Sequence, residues 1–169
     1  MTFVGRFVLA GCAACGWAPI ALAQTVGLAE QVGKWRLFTD LATPRKICFL
    51  ASQPTERQPK GLSRGPVYFY VSAWPKDGVK AEVSVKLGYR VRKGAEPVLT
   101  IGGERFALFA DGERAYIGDP TRELKAVEAM KKGSQMIVQA TNERGAVTTD
   151  FYSLVGLAQA LQKLAASCP

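Results

Sequence analysis

Residues 80–92 alternate without a break. Ala81, Val83, Val85, Leu87, Tyr89 and Val91 share one parity; Lys80, Glu82, Ser84, Lys86, Gly88, Arg90 and Arg92 share the other. Successive side chains of a strand point to opposite faces, so this pattern predicts a half-buried antiparallel strand and excludes a helix there. The preceding stretch is apolar on both parities, with Val67, Phe69, Val71 and Ala73 on one and Tyr68, Tyr70 and Trp74 on the other. That predicts a central strand covered on both sides. Pro75-Lys76-Asp77-Gly78 supplies the turn between the two.

The same signals recur along the chain. Gly102-Gly103 separates Val98–Ile101 from Phe106–Phe109, and Asp111-Gly112 separates that strand from Ala115–Ile117. Gln135–Thr141 and Ala146–Tyr152 flank Asn142-Glu143-Arg144-Gly145, and Lys34–Phe38 and Lys46–Ala51 are early strand candidates. Two helices are predicted. Asp119 caps the first, Pro120 opens it, Leu124, Val127 and Met130 form its apolar stripe, and Gly133 stops it. The second covers roughly Ser153–Ala166, with Leu154, Leu157, Leu161 and Leu164 at helical spacing. The expected fold is mainly β: an antiparallel β-sandwich, immunoglobulin-like or jelly-roll-like, with two short helices, one of them C-terminal. Ser52–Pro66, rich in Pro, Gly and polar residues, reads as a mobile connection, with a functional loop as the other option.

The first 23 residues read as a secretory leader: Arg6, then an uncharged run from Phe7 to Leu22, then Ala21-Leu22-Ala23 as an exit site. A lipobox, Leu9-Ala10-Gly11-Cys12, competes with it. Only five residues separate Arg6 from Cys12, short of the roughly 7–15 of a leader core. Cleavage after Ala23 is favoured; it leaves residues 24–169 as one domain with no transmembrane span. The expected location is the periplasm, the medium or the cell surface, with a lipid anchor at Cys12 as the minor alternative. Cleavage also removes Cys12 and Cys15, leaving Cys48 and Cys168. An even pair in an oxidising compartment points to a disulfide; a reactive thiol is the other reading, and it lacks a histidine to activate it.

The chain contains no histidine at all. Ser-His-Asp and Cys-His nucleophiles, His-ligated zinc and His proton shuttles are therefore excluded. No phosphate-binding glycine loop, calcium loop or paired-carboxylate site is readable, so no catalytic residue, cofactor or metal ligand is assigned and the chain reads as a non-enzyme. What remains is charge. Losing Arg6 with the leader leaves 21 cations against 14 carboxylates, a net +7. Lys80, Lys86, Arg90, Arg92 and Lys93 gather on and just after one strand, a candidate face for an acidic partner or an anionic envelope surface. A solvated strand surface that discourages aggregation explains the same charges. Nucleic acid is excluded by the compartment and by the lack of interleaved aromatic residues.

Arg144-Gly145, Thr149-Asp150, Tyr152-Ser153-Leu154, Gly156, Ala160 and Cys168 form a closing run, preceded by Ala129-Met130-Lys131-Lys132-Gly133. With Tyr70–Pro75, Gly88-Tyr89 and Cys48–Ser52, this run resembles the invasion-associated locus B family over most of the chain from Trp35 to Cys168. One departure is that Trp35 is followed by Arg36-Leu37-Phe38, where many members carry a cysteine. The resemblance implies a β-sandwich in the periplasm or at the cell surface, and a role in host-cell invasion in pathogenic members. It supplies no catalytic residues. Bland roles are open for the signature: positive φ at Gly145, a helix cap at Ser153, close packing at Gly156 and an Arg144–Asp150 pair at a strand end. The expected activity is binding of a protein or glycan in the envelope or on a host. The alternative is a periplasmic small-ligand carrier or an inhibitor of a periplasmic enzyme.

Overall fold

Strand pairing divides the chain into two antiparallel sheets. The computed structural model describes residues 26–40 and 46–169. The expected leader, with Cys12 and Cys15, lies outside the described residues. In chain order the strands are β1 (Gly27–Val32), β2 (Trp35–Asp40), β3 (Ile47–Ser52), β4 (Glu56–Gln58), β5 (Tyr68–Trp74), β6 (Val79–Lys86), β7 (Val98–Ile101), β8 (Glu104–Ala107), β9 (Phe109–Asp111), β10 (Arg114–Tyr116), β11 (Gln135–Thr141) and β12 (Val147–Ser153). Helices α1 (Pro120–Lys132) and α2 (Leu157–Ser167) complete the set. One sheet runs β1-β2-β3-β5-β6-β10-β9 and the other β4-β12-β11-β7-β8. The architecture is the expected sandwich.

The inner faces meet in one apolar cluster. Trp35, Leu50, Phe69, Val71, Val83 and Val85 come from the larger sheet; Leu99, Ile101, Met136, Val138 and Tyr152 come from the smaller. Both helices pack on this inner side through Ala126, Val127 and Met130 of α1 and Leu157, Ala160, Leu161 and Leu164 of α2. The Cys48–Cys168 disulfide ties the end of α2 to the start of β3 across 120 residues of sequence.

Several expectations are corrected. The alternating strand ends at Lys86, because Gly88 adopts φ 75° and a Cβ there would lie 2.4 Å from the Gly65 carbonyl oxygen. The chain bends there to pass from one sheet towards the other, and Val91 keeps only an isolated bridge to Asn142. Phe106–Phe109 is not one strand: β8 belongs to the smaller sheet and β9 to the larger, and buried Leu108 marks the switch. Leu124 is 63% exposed instead of facing the core. It lies about 120° around the helix from Met130, at 100° per residue, outside the buried arc. α2 starts at Leu157 with Gly156 as its N-cap; Ser153 belongs to β12 and its Oγ accepts the Val155 N–H. Gly156 does allow close packing, since a Cβ there would sit 3.2 Å from Val32. β5 is central, yet only its Phe69 face is covered. Tyr68 and Tyr70 are half-buried on an outer face that neither helix occupies.

Candidate binding surface

Asp150 shares its parity on β12 with Thr148 and Tyr152, and all three are buried. A carboxylate in that position needs a cation. Arg64 provides it, from the segment read as mobile in sequence: its Nη1 donates to Asp150 Oδ2 at 2.9 Å, its Nη2 donates to Oδ1, and the two side chains are 3% and 0% exposed. The expected Arg144–Asp150 pair is therefore replaced by Arg64–Asp150. The Ser52–Pro66 segment is anchored along its length. β4 pairs with β12, Thr55 N–H donates to Phe151 O at 2.7 Å, and Gly65 N–H donates to Gly88 O at 2.8 Å. The approach of Gly65 to Gly88 works only because Gly88 carries no Cβ.

Around this ion pair lies a small polar layer. The Arg64 guanidinium stands 5.8 Å from the centre of the Tyr89 ring, and the Tyr89 and Thr148 hydroxyls share a hydrogen bond. Burial pulls the Arg64 guanidinium down, but its hydrogen bond and charge pairing with Asp150 hold it above its ordinary value. Burial first, and the Asp150 charge second, push the Tyr152 phenol far up. Tyr152 Oη is buried with no hydrogen-bond partner among the described residues. A paired, buried charge of this kind ties the Arg64 segment to β12.

The layer supports a basic end above it. The chain leaving Gly88 is pinned to both sheets: Val91 N–H donates to Gly112 O at 3.1 Å, Arg92 N–H to Thr141 O at 2.9 Å, and Glu143 N–H to Arg90 O at 3.1 Å. The β11–β12 turn is closed by Asn142, whose Oδ1 accepts the Ala146 N–H at 2.9 Å, and by Gly145 at φ 87°. Arg92 Nη1 lies 3.7 Å from where a Cβ at 145 would be, in ordinary van der Waals range, so the positive φ and not crowding is what favours glycine there. Two adjoining hollows result. One of about 420 Å³ is lined by Arg90, Arg92, Lys93 and Glu143; the other, of about 330 Å³, by Ser63, Tyr89, Arg90, Glu143 and Arg144. Arg90, Arg92, Lys93 and Arg144 thus border two adjoining hollows that share Arg90 and Glu143, on a surface that backbone hydrogen bonds hold in place. Guanidinium groups in such a setting recognise carboxylate, sulfate or phosphate oxygens.

Of the five basic residues singled out in sequence, the structure brings together Arg90, Arg92 and Lys93. Lys80 lies elsewhere, in an apolar hollow of about 330 Å³ with Pro75, Val79, Ala165, Cys168 and Pro169. Lys86 lies on the outer sheet face, in register with Tyr68 and Arg114. The bend at Gly88 separates Lys86 from Arg90, and a register shift between β5 and β6, between the Trp74–Val79 and Ser72–Glu82 pairs, sets Lys80 apart. Sequence reading missed Arg144 as a member of the basic end and Arg64 as the partner of Asp150. The parity of Asp150 was the available signal for the second. Among the described residues, no group of His, Cys, Asp and Glu is placed to hold a metal ion, and no helix is long and apolar enough to cross a membrane.

These features define a class: an antiparallel sandwich, stapled by one disulfide, that presents a basic, hydrogen-bond-braced end. Residues 35–165 match the model of the invasion associated locus B (IalB) protein family, and the chain belongs to that family. The fold is similar to the crystal structure of invasion associated protein B from Bartonella henselae, with TM-score 0.60 and 17% identity over 83% of this chain and 97% of that one. A search of curated proteins gave no match.

Proposed function

We propose that this chain is an exported, non-catalytic binding protein, working in the periplasm or at the cell surface. Its basic end takes up an acidic group of a protein or glycan partner, in a pathogen at the contact with a host cell. One observation carries the reading: Arg90, Arg92, Lys93 and Arg144, from two separate loops, converge around two adjoining hollows with Glu143 as their shared carboxylate. Family membership, in a family named for invasion, supports the setting. Binding to host-cell or envelope surfaces is then expected to weaken steeply as salt rises, because exposed charges are screened beyond about 8 Å at physiological ionic strength. The test compares the wild type with Arg90→Ala/Arg92→Ala/Lys93→Ala/Arg144→Ala in a surface-binding assay, with circular dichroism as the folding control. Equal binding by a folded quadruple variant sinks the proposal.

The alternative, a small-ligand carrier or enzyme inhibitor, is favoured by a separate hollow of about 470 Å³ lined by Gln31, Lys34, Arg36, Gln53, Pro54 and Thr55. A small molecule retained in native mass spectrometry supports the carrier.

A further inference from the structure

The two sulfurs of the Cys48–Cys168 disulfide stand in unlike surroundings. Cys48 is 0% exposed and belongs to the core cluster; β3 holds it in register between Thr39 of β2 and Ala73 of β5. Cys168 is only partly buried. It directly follows α2 and forms part of the wall of an open hollow of about 330 Å³. Pro75 and Val79 reach this hollow from the β5–β6 hairpin, Ala165 and Pro169 reach it from the end of α2, and Lys80 brings a cation to it. The basic end shares none of these residues.

We propose that this hollow is an exchange site: a dithiol oxidoreductase of the C-x-x-C class docks there and makes or breaks the disulfide through Cys168 alone. The direction of attack carries the inference. A thiolate displaces one sulfur of a disulfide by reaching the other, so access decides which sulfur is attacked. The core closes every approach to Cys48, whereas Cys168 is open on the side of the hollow. Breaking the bond then takes two steps. The partner's thiolate bonds to Cys168 Sγ, and Cys48 Sγ leaves with the electron pair of the S–S bond and takes up a proton. The partner's second thiol, after losing its proton, attacks the partner's own sulfur in the mixed disulfide, and Cys168 Sγ leaves in turn and is protonated. The partner ends as a disulfide, oxidised by two electrons, and the chain carries two thiols. The reverse sequence, starting from an oxidised partner, makes the bond through the same sulfur.

The surroundings suit such a partner. The apolar walls offer a protein surface something to cover, and a lysine ammonium favours a thiolate beside it. The exchange does not require the sandwich to open. Leu157, Ala160, Leu161 and Leu164 seat α2 in the core cluster, and Cys168 N–H donates to Leu164 O at 3.1 Å. Both sulfurs therefore stay near each other while the bond is open, and closing it again is an intramolecular step. The disulfide is then a clasp that can be opened and shut on the folded chain.

The test exposes the folded, disulfide-bonded chain to an excess of thioredoxin whose second active-site cysteine is replaced by serine, so that the mixed disulfide cannot be resolved from the partner's side. Acid quenching and peptide mapping by mass spectrometry then locate the attached cysteine. Attachment at Cys168 is expected, at a rate proportional to the thioredoxin concentration. Attachment at Cys48, or a rate that levels off at the chain's own unfolding rate, overturns the assignment. Ala165→Trp narrows the hollow from an exposed position on α2, with circular dichroism as the folding control. It is expected to slow the thioredoxin roughly tenfold or more and glutathione, which needs no docking surface, much less. A folded variant that slows neither, or both equally, sinks the docking site. The result is independent of the basic end, which none of these measurements touches.

Discussion

Replacing Arg64 by methionine isolates the most consequential polar contact in the molecule. Arg64→Met keeps the aliphatic stem and deletes the ion-pair partner of Asp150, whose side chain is 0% exposed. Breaking a buried pair from one side costs about 3–5 kcal/mol, because the remaining charge is neither hydrated nor matched. The Arg64 guanidinium is held above its ordinary value by Asp150, so its contribution is complete below that value and is lost only in strong alkali. Urea unfolding near pH 7, followed by the fluorescence of buried Trp35, reads the difference directly. The variant is expected to lose about 4 kcal/mol. Arg64→Met/Asp150→Leu, which removes both charges, is expected to approach the wild type. A loss below about 1 kcal/mol, or a double variant no more stable than Arg64→Met, would refute the argument.

Other contacts give independent tests. Cys168→Ser opens a loop of 120 residues and is expected to cost up to about 4.9 kcal/mol in urea unfolding, most of it through the unfolded chain. Gly88→Ala forces a Cβ to within 2.4 Å of the Gly65 oxygen at φ 75°; thermal melting should show a loss well beyond the ~1 kcal/mol of an ordinary left-handed glycine replacement. Tyr152→Phe should be neutral or slightly stabilising at pH 7, because the hydroxyl it removes is buried without a partner. Burial raises the phenols of Tyr152, Tyr89 and Tyr70. The unfolded chain therefore releases these protons first: stability is complete below about pH 10 and falls as pH rises from there towards the folded values. Chemical denaturation between pH 9 and 11 checks the sign, and Tyr152→Phe should flatten the fall.

Local signals were enough for much of the sandwich. Parity identified β5, β6, β11 and β12, glycine turns separated β7 from β8 and β9 from β10, and Asp119 with Pro120 marked the start of α1, where Asp119 Oδ1 accepts the Arg122 N–H at 2.7 Å. Cysteine arithmetic identified the disulfide. These succeed because alternation, capping and turn geometry depend on neighbours only a few residues apart. β1 and β4 gave no comparable signal: both are edge strands with almost every side chain exposed, so no burial pattern is written into them.

The binding end was legible only in part, and the reason is again physical. Sequence showed that basic residues cluster at 80–93 and offered Arg144 as the partner of Asp150. Which cations share a surface depended on the bend at Gly88, and that bend depends on Gly65, 23 residues earlier in the chain and in contact only after folding. Arg64 reaches Asp150 across 86 residues, and Arg144 joins Arg90 because Glu143 N–H bonds to its carbonyl. Composition and period thus determined what kind of sheet this chain forms and which residues seek its interior. Partners distant in sequence are chosen by packing and by the need to neutralise a buried charge, and only the tertiary structure decided those.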